Sequence, residues 1–312
     1  LFAMERKFVK RDEKLLTTSG IFSPIVSDRI FDGAVPKPCR YFCGRDKELS
    51  ELHELLKSHS KIFINGIAGI GKSEFVKAYA NEYKKSYTNI LYFTYNGNLQ
   101  SMISDMDFAD DMLSDDEQIR FKKHNRFLRS LKEDTLIIID NFNTSASKEP
   151  LLDIVIKYNC RIVFTTRSRF EIGYSYELSE ISDISILTEL TGKFYFETET
   201  NRSTVVKIIE TIHRHTLSVE MSARLLQKGR LEPNEILHKL SECHVNPDTS
   251  DKISITKDGT NIKATYYSHI QTLFSLFLLD ENMKFVMRCM AFIPLDGIRA
   301  RLFAKWLALL DL

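Results

Sequence analysis

The sequence predicts an open α/β fold built on a parallel sheet, with a smaller helical region behind it. Three observations predict it. Short apolar runs of strand length recur in the first two thirds of the chain, helical segments alternate with them, and after about residue 200 the strand pattern gives way to helical periodicity.

Residues 1–40 are of mixed character and contain Pro24, Pro36 and Pro38, so they read as a connector. From Arg45 to Lys57, Leu49, Leu52, Leu55 and Leu56 recur at three- and four-residue steps between charges, the pattern of an amphipathic helix. Ile62–Ile64, Ile90–Tyr95, Leu136–Ile139 and Arg161–Thr165 suit buried parallel strands, and Tyr174–Leu178 is a fifth candidate. Glu74–Lys84 places Phe75, Val76, Tyr79, Ala80 and Tyr83 on one helical face. Ser101–Glu117 is acidic and the segment from Arg120 to Lys132 basic; a solvated loop followed by a charged helix face is expected, ahead of a magnesium or nucleic-acid role. Val205–Ile212, Leu217–Leu226 and Asn234–Leu240 read as a small helical bundle. Lys252–Ile262, with Asp258-Gly259 at its centre, reads as a β-hairpin. Apolar helices are expected over Ser268–Leu279, Met283–Phe292 and Ile298–Leu310.

The 312 residues are enough for two or three domains, each with its own core. Forty-three basic residues against forty-two acidic leave a net charge of +1, without the global field that marks many nucleic-acid or anionic-membrane binders. Cys39, Cys43, Cys160, Cys243 and Cys289 form no even framework; Cys39 and Cys43 are half of a metal site at most, and reduced cytosolic thiols are the plain expectation, with a cytoplasmic location. No run approaches the roughly 20 apolar residues needed to cross a bilayer. Both ends have the look of cuts in a longer parent chain.

Gly66-Ile67-Ala68-Gly69-Ile70-Gly71-Lys72-Ser73 matches the phosphate-binding P-loop, and it lies between an expected strand and an expected helix. Its glycines let the backbone turn so that N–H groups converge on an anion, and the helix start at Lys72, Ser73 and Glu74 adds its positive dipole end. Lys72 is placed to reach the β- and γ-phosphates, and the Ser73 hydroxyl to ligate Mg²⁺. Asp140 follows four apolar strand residues and supplies the second magnesium-organising group. Asn141 stands beside it in place of a second acid; an amide orients water but takes no proton at neutral pH, so slow hydrolysis is expected. Arg167, at the end of the Arg161–Thr165 strand, is the candidate γ-phosphate sensor, with Arg169 as its rival.

From about Cys39 to Leu312 the order of motifs resembles the NB-ARC type of STAND nucleotide switches, P-loop NTPases that include plant disease-resistance receptors, apoptosome scaffolds and bacterial regulators. Phe42-Cys43-Gly44-Arg45-Asp46-Lys47-Glu48-Leu49 is similar to the family's hhGRxxEL segment, whose backbone holds adenine. The P-loop and Leu136–Asn141 follow, and Arg161–Arg167 is similar to its sensor strand, apolar residues and then TTR. Tyr267–Pro294 and Leu302–Leu310 resemble the opening helices of its winged-helix domain. The family's GLP motif would fall at Arg214-His215-Thr216 before Leu217, without its proline. His213 and His215 have no suitably placed carboxylate or cysteine and are read as a helix start.

The resemblance implies an AAA+-like P-loop nucleotide-binding domain at 41–198, a helical domain at 199–247 and a truncated winged-helix domain at 248–312, behind the connector. It implies ATP or ADP with Mg²⁺ as cofactors, and adenine contacts at Cys43, Gly44, Arg45, Thr216 and Leu217. It implies a switch in which nucleotide exchange controls domain opening and homo-oligomerisation, with effector and sensor domains elsewhere in the parent and a defence or stress response as the setting. Two rivals remain open. One is a transcriptional regulator of the same class, against which Lys284, Arg288, Arg299, Arg301 and Lys305 are scattered rather than clustered. The other is a catalytic AAA-type ATPase, against which Asn141 speaks.

Overall fold

In the computed structural model, residues 35–106, 111–112 and 114–242 are described, together with 269–273, 275, 281–290, 293 and 300–308. The expected hairpin at 252–262 lies outside the described residues, as does most of the expected connector. Helix α1 (Asp46–Ser58) leads into β1 (Lys61–Asn65), and α2 (Lys72–Glu82) follows. Next come β2 (Asn89–Thr94), α3 (Leu99–Ser104), α4 (Glu117–Ser130), β3 (Thr135–Asp140), α5 (Leu152–Val155), β4 (Arg161–Thr166) and β5 (Tyr174–Glu177). Among the described residues that follow are the helices α6 (Ile184–Gly192), α7 (Arg202–Thr211), α8 (Thr216–Gln227), α9 (Pro233–Glu242), α10 (Glu281–Met290) and α11 (Ala300–Ala308).

The five strands form one sheet in the order β2-β3-β4-β1-β5, and every neighbouring pair is parallel. Strand residues alternate between its faces, as the two-residue period requires. Ile62, Ile64, Ile90, Leu136, Ile138 and Val163 pack with Leu49, Leu52, Phe75 and Tyr79 from α1 and α2. Phe63, Leu91, Ile137, Ile139, Ile162 and Phe164 pack on the other face with Met102, Phe127, Leu128, Leu152 and Val155 from α3, α4 and α5. Both faces are therefore covered, which is why the central strands read as unbroken apolar runs. The α/β fold with a parallel sheet, expected from the sequence, is the one observed.

A third core belongs to the helices. Leu187, Leu190 and Tyr195 join Val205, Ile208, Ile209, Val219, Leu225, Ile236 and Leu240. Helix α6 turns its apolar face to α7 and α8, so Leu187 and Leu190 belong to the helical core. The acidic stretch differs from a solvated loop. Residues Leu99–Ser104 are helical, capped by the Asn98 side chain, which accepts from Gln100 and Ser101 N–H. Farther on, Asp111 pairs with buried His124 at 2.9 Å and Asp115 with Lys123 at 2.6 Å, so both acids are bound to α4. Among the described residues no helix is long and apolar enough to cross a membrane.

Candidate nucleotide-binding site

Burial of Ile62, Phe63 and Ile64 fixes β1, so the chain leaves the sheet at Asn65 and must double back into α2. Gly69 (φ 78°) and Gly71 (φ 98°) make that turn in left-handed backbone, where a side chain would be strained. Ile70, almost fully buried, pins the loop to the core beneath it. Helix α2 starts with no side-chain cap, so its first N–H groups and its dipole are left for an anion.

Lys72 Nζ donates to the carbonyl oxygens of Gly66 (2.8 Å) and Ile67 (2.9 Å). Burial first, and the neighbouring Arg167 second, push its pKa down to about 8 against the opposing charge of Asp140. Ser73 Oγ donates to Asp140 Oδ1 at 2.9 Å, Tyr92 donates to Oδ2 at 2.7 Å, and Thr165 Oγ1 also donates to Oδ1. Asp140, only 6% exposed, is thus oriented by hydroxyls from α2, β2 and β4. A serine hydroxyl and one carboxylate at this spacing fit Mg²⁺, which is commonly held by one or two carboxylates with the rest supplied by phosphate and water. Among the described residues no cluster of three or more His, Cys, Asp or Glu side chains is suited to a metal, so Cys39 and Cys43 gain no partners of that kind.

Past Asp140 the backbone turns through Asn141, itself left-handed at φ 62°. Its side-chain oxygen accepts from the Asn143 amide, and Asn143 Oδ1 accepts from Arg167 N–H at 2.8 Å. Asn143 therefore links the β3 and β4 ends. Arg167 lines the cleft above the P-loop, whereas Arg169 does not.

The cleft holds about 500 Å³ and is walled by both units. One end is the P-loop. The other is apolar, with Tyr41, Phe42, Cys43, Ile181, Leu190, Phe194 and Leu217; Tyr41 meets the Phe194 ring edge-on at 5.2 Å. Arg224 lies 4.4 Å from the centre of that ring and pairs with Glu220 at 2.6 Å. Two lining residues carry buried polar atoms with no hydrogen-bond partner among the described residues, Arg45 Nη2 and Thr216 Oγ1.

Of the residues expected at the site, Cys43, Arg45, Ala68, Gly69, Ile70, Gly71, Lys72, Ser73, Glu74, Arg167, Thr216 and Leu217 line this cleft. Gly44 and Gly66 are not among its lining residues; a Cβ on Gly44 would meet Ile186 and one on Gly66 the Leu178 carbonyl. Asp140 lies behind Ser73. Sequence reasoning missed Tyr92, Asn143 and the contact of His215 with the P-loop. A phenol in an apolar strand was a usable signal for Tyr92; no spacing pointed to the other two.

No protein-family model matches the chain, and no curated protein matches it. Solved structures do. The Walker-type ATPase of Pyrococcus abyssi is 17% identical, with a TM-score of 0.44 over 67% of this chain and 74% of its own. A Signal Transduction ATPase with Numerous Domains protein with a tetratricopeptide repeat sensor, from Pyrococcus horikoshii, is 17% identical, with a TM-score of 0.42 over 79% of this chain. This chain spans only 41% of that protein's length. AMPPCP-bound DnaA from Aquifex aeolicus is 13% identical, with a TM-score of 0.39 over 80% of this chain and 89% of its own.

Proposed function

We propose that the chain is an adenine-nucleotide switch of the STAND class, NB-ARC-like in its motif order, in which ATP or ADP with Mg²⁺ governs how the helical unit docks on the sheet unit. The observation that carries this reading is that one cleft is lined by both units: the P-loop, Ser73 and Arg167 from the sheet, and Thr216, Leu217 and Phe194 from the helices. A ligand held between two units acts on their arrangement in proportion to its different affinity for each arrangement. Arg167, which lines the same cleft beside Lys72, is the group to discriminate ATP from ADP.

Slow turnover accompanies this reading. The residue beside Asp140 is an amide already bonded to Asn143, and no carboxylate joins Asp140, Asn141 and Asn143 in this turn. Exposure of oligomerising surfaces on ATP binding, and a role in a defence or stress response, extend the same reading.

The test is nucleotide retention. Purified protein is expected to bind ADP and ATP in a Mg²⁺-dependent manner, and Lys72→Ala to lose most of that binding. Equal binding by Lys72→Ala would overturn the site. Limited proteolysis between residues 178 and 184 with ADP, and with a non-hydrolysable ATP analogue, tests the switch itself; identical cleavage rates would leave a nucleotide-binding protein without switching.

A further inference from the structure

The helical unit grips the P-loop directly, through backbone atoms that a nucleotide does not need. Before α8 the chain passes two left-handed residues, His213 (φ 52°) and Arg214 (φ 59°), and this reversal precedes His215. The His215 side chain is fully buried, with Nε2 2.7 Å from the Ala68 carbonyl oxygen and Nδ1 2.8 Å from Ser218 Oγ. A carbonyl only accepts, so Nε2 carries the hydrogen and Nδ1 accepts from the Ser218 hydroxyl. Leu217 N–H donates to the Gly69 carbonyl at 3.2 Å. Two consecutive P-loop carbonyls are therefore held by the start of α8. The approach is close: a Cβ on Gly69 would lie 2.9 Å from the His215 ring and 2.9 Å from Leu217 Cβ.

The geometry of the peptide gives this grip a consequence. In a planar trans peptide the C=O and N–H point in opposite directions. Holding the Ala68 and Gly69 carbonyls against α8 turns the N–H groups of Gly69 and Ile70 away from it. A P-loop works by presenting such N–H groups to phosphate.

We propose that His215 is a positioning residue for phosphate binding: by donating to the Ala68 carbonyl it holds the P-loop peptides in their anion-binding orientation, and so makes phosphate affinity depend on the docking of the helical unit. This rests on reading the cleft as a nucleotide site. By linkage, bound phosphate in turn strengthens the docking of α8.

The test is titration of the purified full chain with fluorescent ADP, alongside urea unfolding. His215→Leu keeps apolar bulk without a donor and is expected to bind ADP about tenfold more weakly, the scale of one lost buried hydrogen bond. His215→Gln can still donate to Ala68 and should recover affinity to within about threefold of the parent. A role in packing alone would not separate Gln from Leu by donor capacity. Parent-like affinity in His215→Leu, or equal weakening in Gln and Leu, would overturn the proposal. Should His215→Leu not fold, Ser218→Ala decides: it removes the hydroxyl that fixes the tautomer, and a weakening of about threefold is expected, with unchanged affinity counting against. Failure of the parent chain to bind ADP, or unimpaired Lys72→Ala, would defeat the nucleotide reading itself and is a different outcome.

Discussion

On the proposed reading of the cleft as a nucleotide site, Lys72 is expected to make nucleotide affinity pH-dependent in a window set by its own environment. With no phosphate bound, burial first and Arg167 second bring its pKa to about 8 from the ordinary lysine value of 10.5. Phosphate supplies the negative charge that the neutral Gly66 and Ile67 carbonyls do not, so the bound state favours the ammonium and its pKa rises. At pH 7 and below the lysine is already almost wholly protonated, and this group adds little pH dependence. Above pH 8 the free protein must take up a proton to bind, and affinity falls as pH rises. With one proton per nucleotide the limit is tenfold per pH unit, or about thirtyfold between pH 7 and 9.5 if the bound pKa lies above that range. The terminal phosphate of ADP, with a second pKa near 6, is fully ionised throughout and does not interfere. Calorimetric titration at pH 8.5, in two buffers of different ionisation enthalpy, is expected to register uptake of most of one proton on ADP binding. Arg167→Ala should move the window to higher pH by removing the second cause. A dissociation constant flat from pH 8 to 9.5, with no proton uptake, would refute the reasoning.

Gly69→Ala combines left-handed backbone with a collision at 2.9 Å, so it is expected to destabilise the chain by about 1–3 kcal/mol in urea unfolding and to loosen the grip of α8 on the P-loop. Tyr92→Phe removes one donor from Asp140 while Ser73 and Thr165 remain; a loss of about 1–2 kcal/mol is expected, and no change would mean that the 2.7 Å bond contributes nothing net. Phe63→Ala removes a fully buried ring stacked on Phe164 at 4.5 Å and Phe170 at 4.6 Å and should cost about 3–5 kcal/mol by chemical denaturation. Asn98→Ala deletes the cap of α3 and is expected to cost about 1 kcal/mol, visible as faster amide exchange at Gln100 and Ser101.

The strands were legible because the sheet is covered on both faces. Leu136–Ile139 can be apolar without a break only where alternate side chains enter two cores, and Leu136 and Ile138 do part from Ile137 and Ile139 in this way. The P-loop was legible because its chemistry is local, eight consecutive residues between a strand and a helix. Strand order was not legible, since β4 inserts between β1 and β3 through contacts far apart in sequence. The place of Asn143 at the site depends on that order and was hidden with it. Helix α3 was readable in principle: Asn98 caps it, and Leu99, Met102 and Ile103 have helical spacing, but the surrounding acids outweighed the pattern. For α6 the apolar spacing gave no indication that Leu187 and Leu190 would turn to the helical core instead of the sheet. His215 was readable only as a helix start, because its partner Ala68 lies far upstream.

The sheet order also dictates a timetable for synthesis. The P-loop leaves the ribosome before most of the sheet, yet its strand has no neighbour until β4 arrives, Lys61 pairing with Ile162 roughly a hundred residues later. At about 5–20 residues per second that interval is of the order of ten seconds. Meanwhile β2 and β3 can pair with each other, Asn89 opposite Thr135, but they cannot reach β1 without the strand that separates them. Asp140, Thr165 and Arg167 join the site in that sequence, and His215 closes on Ala68 last of all. On the proposed reading, nucleotide is therefore a ligand of sheet and helices together and not of the nascent chain, and its capture would mark the moment at which both have been made and joined.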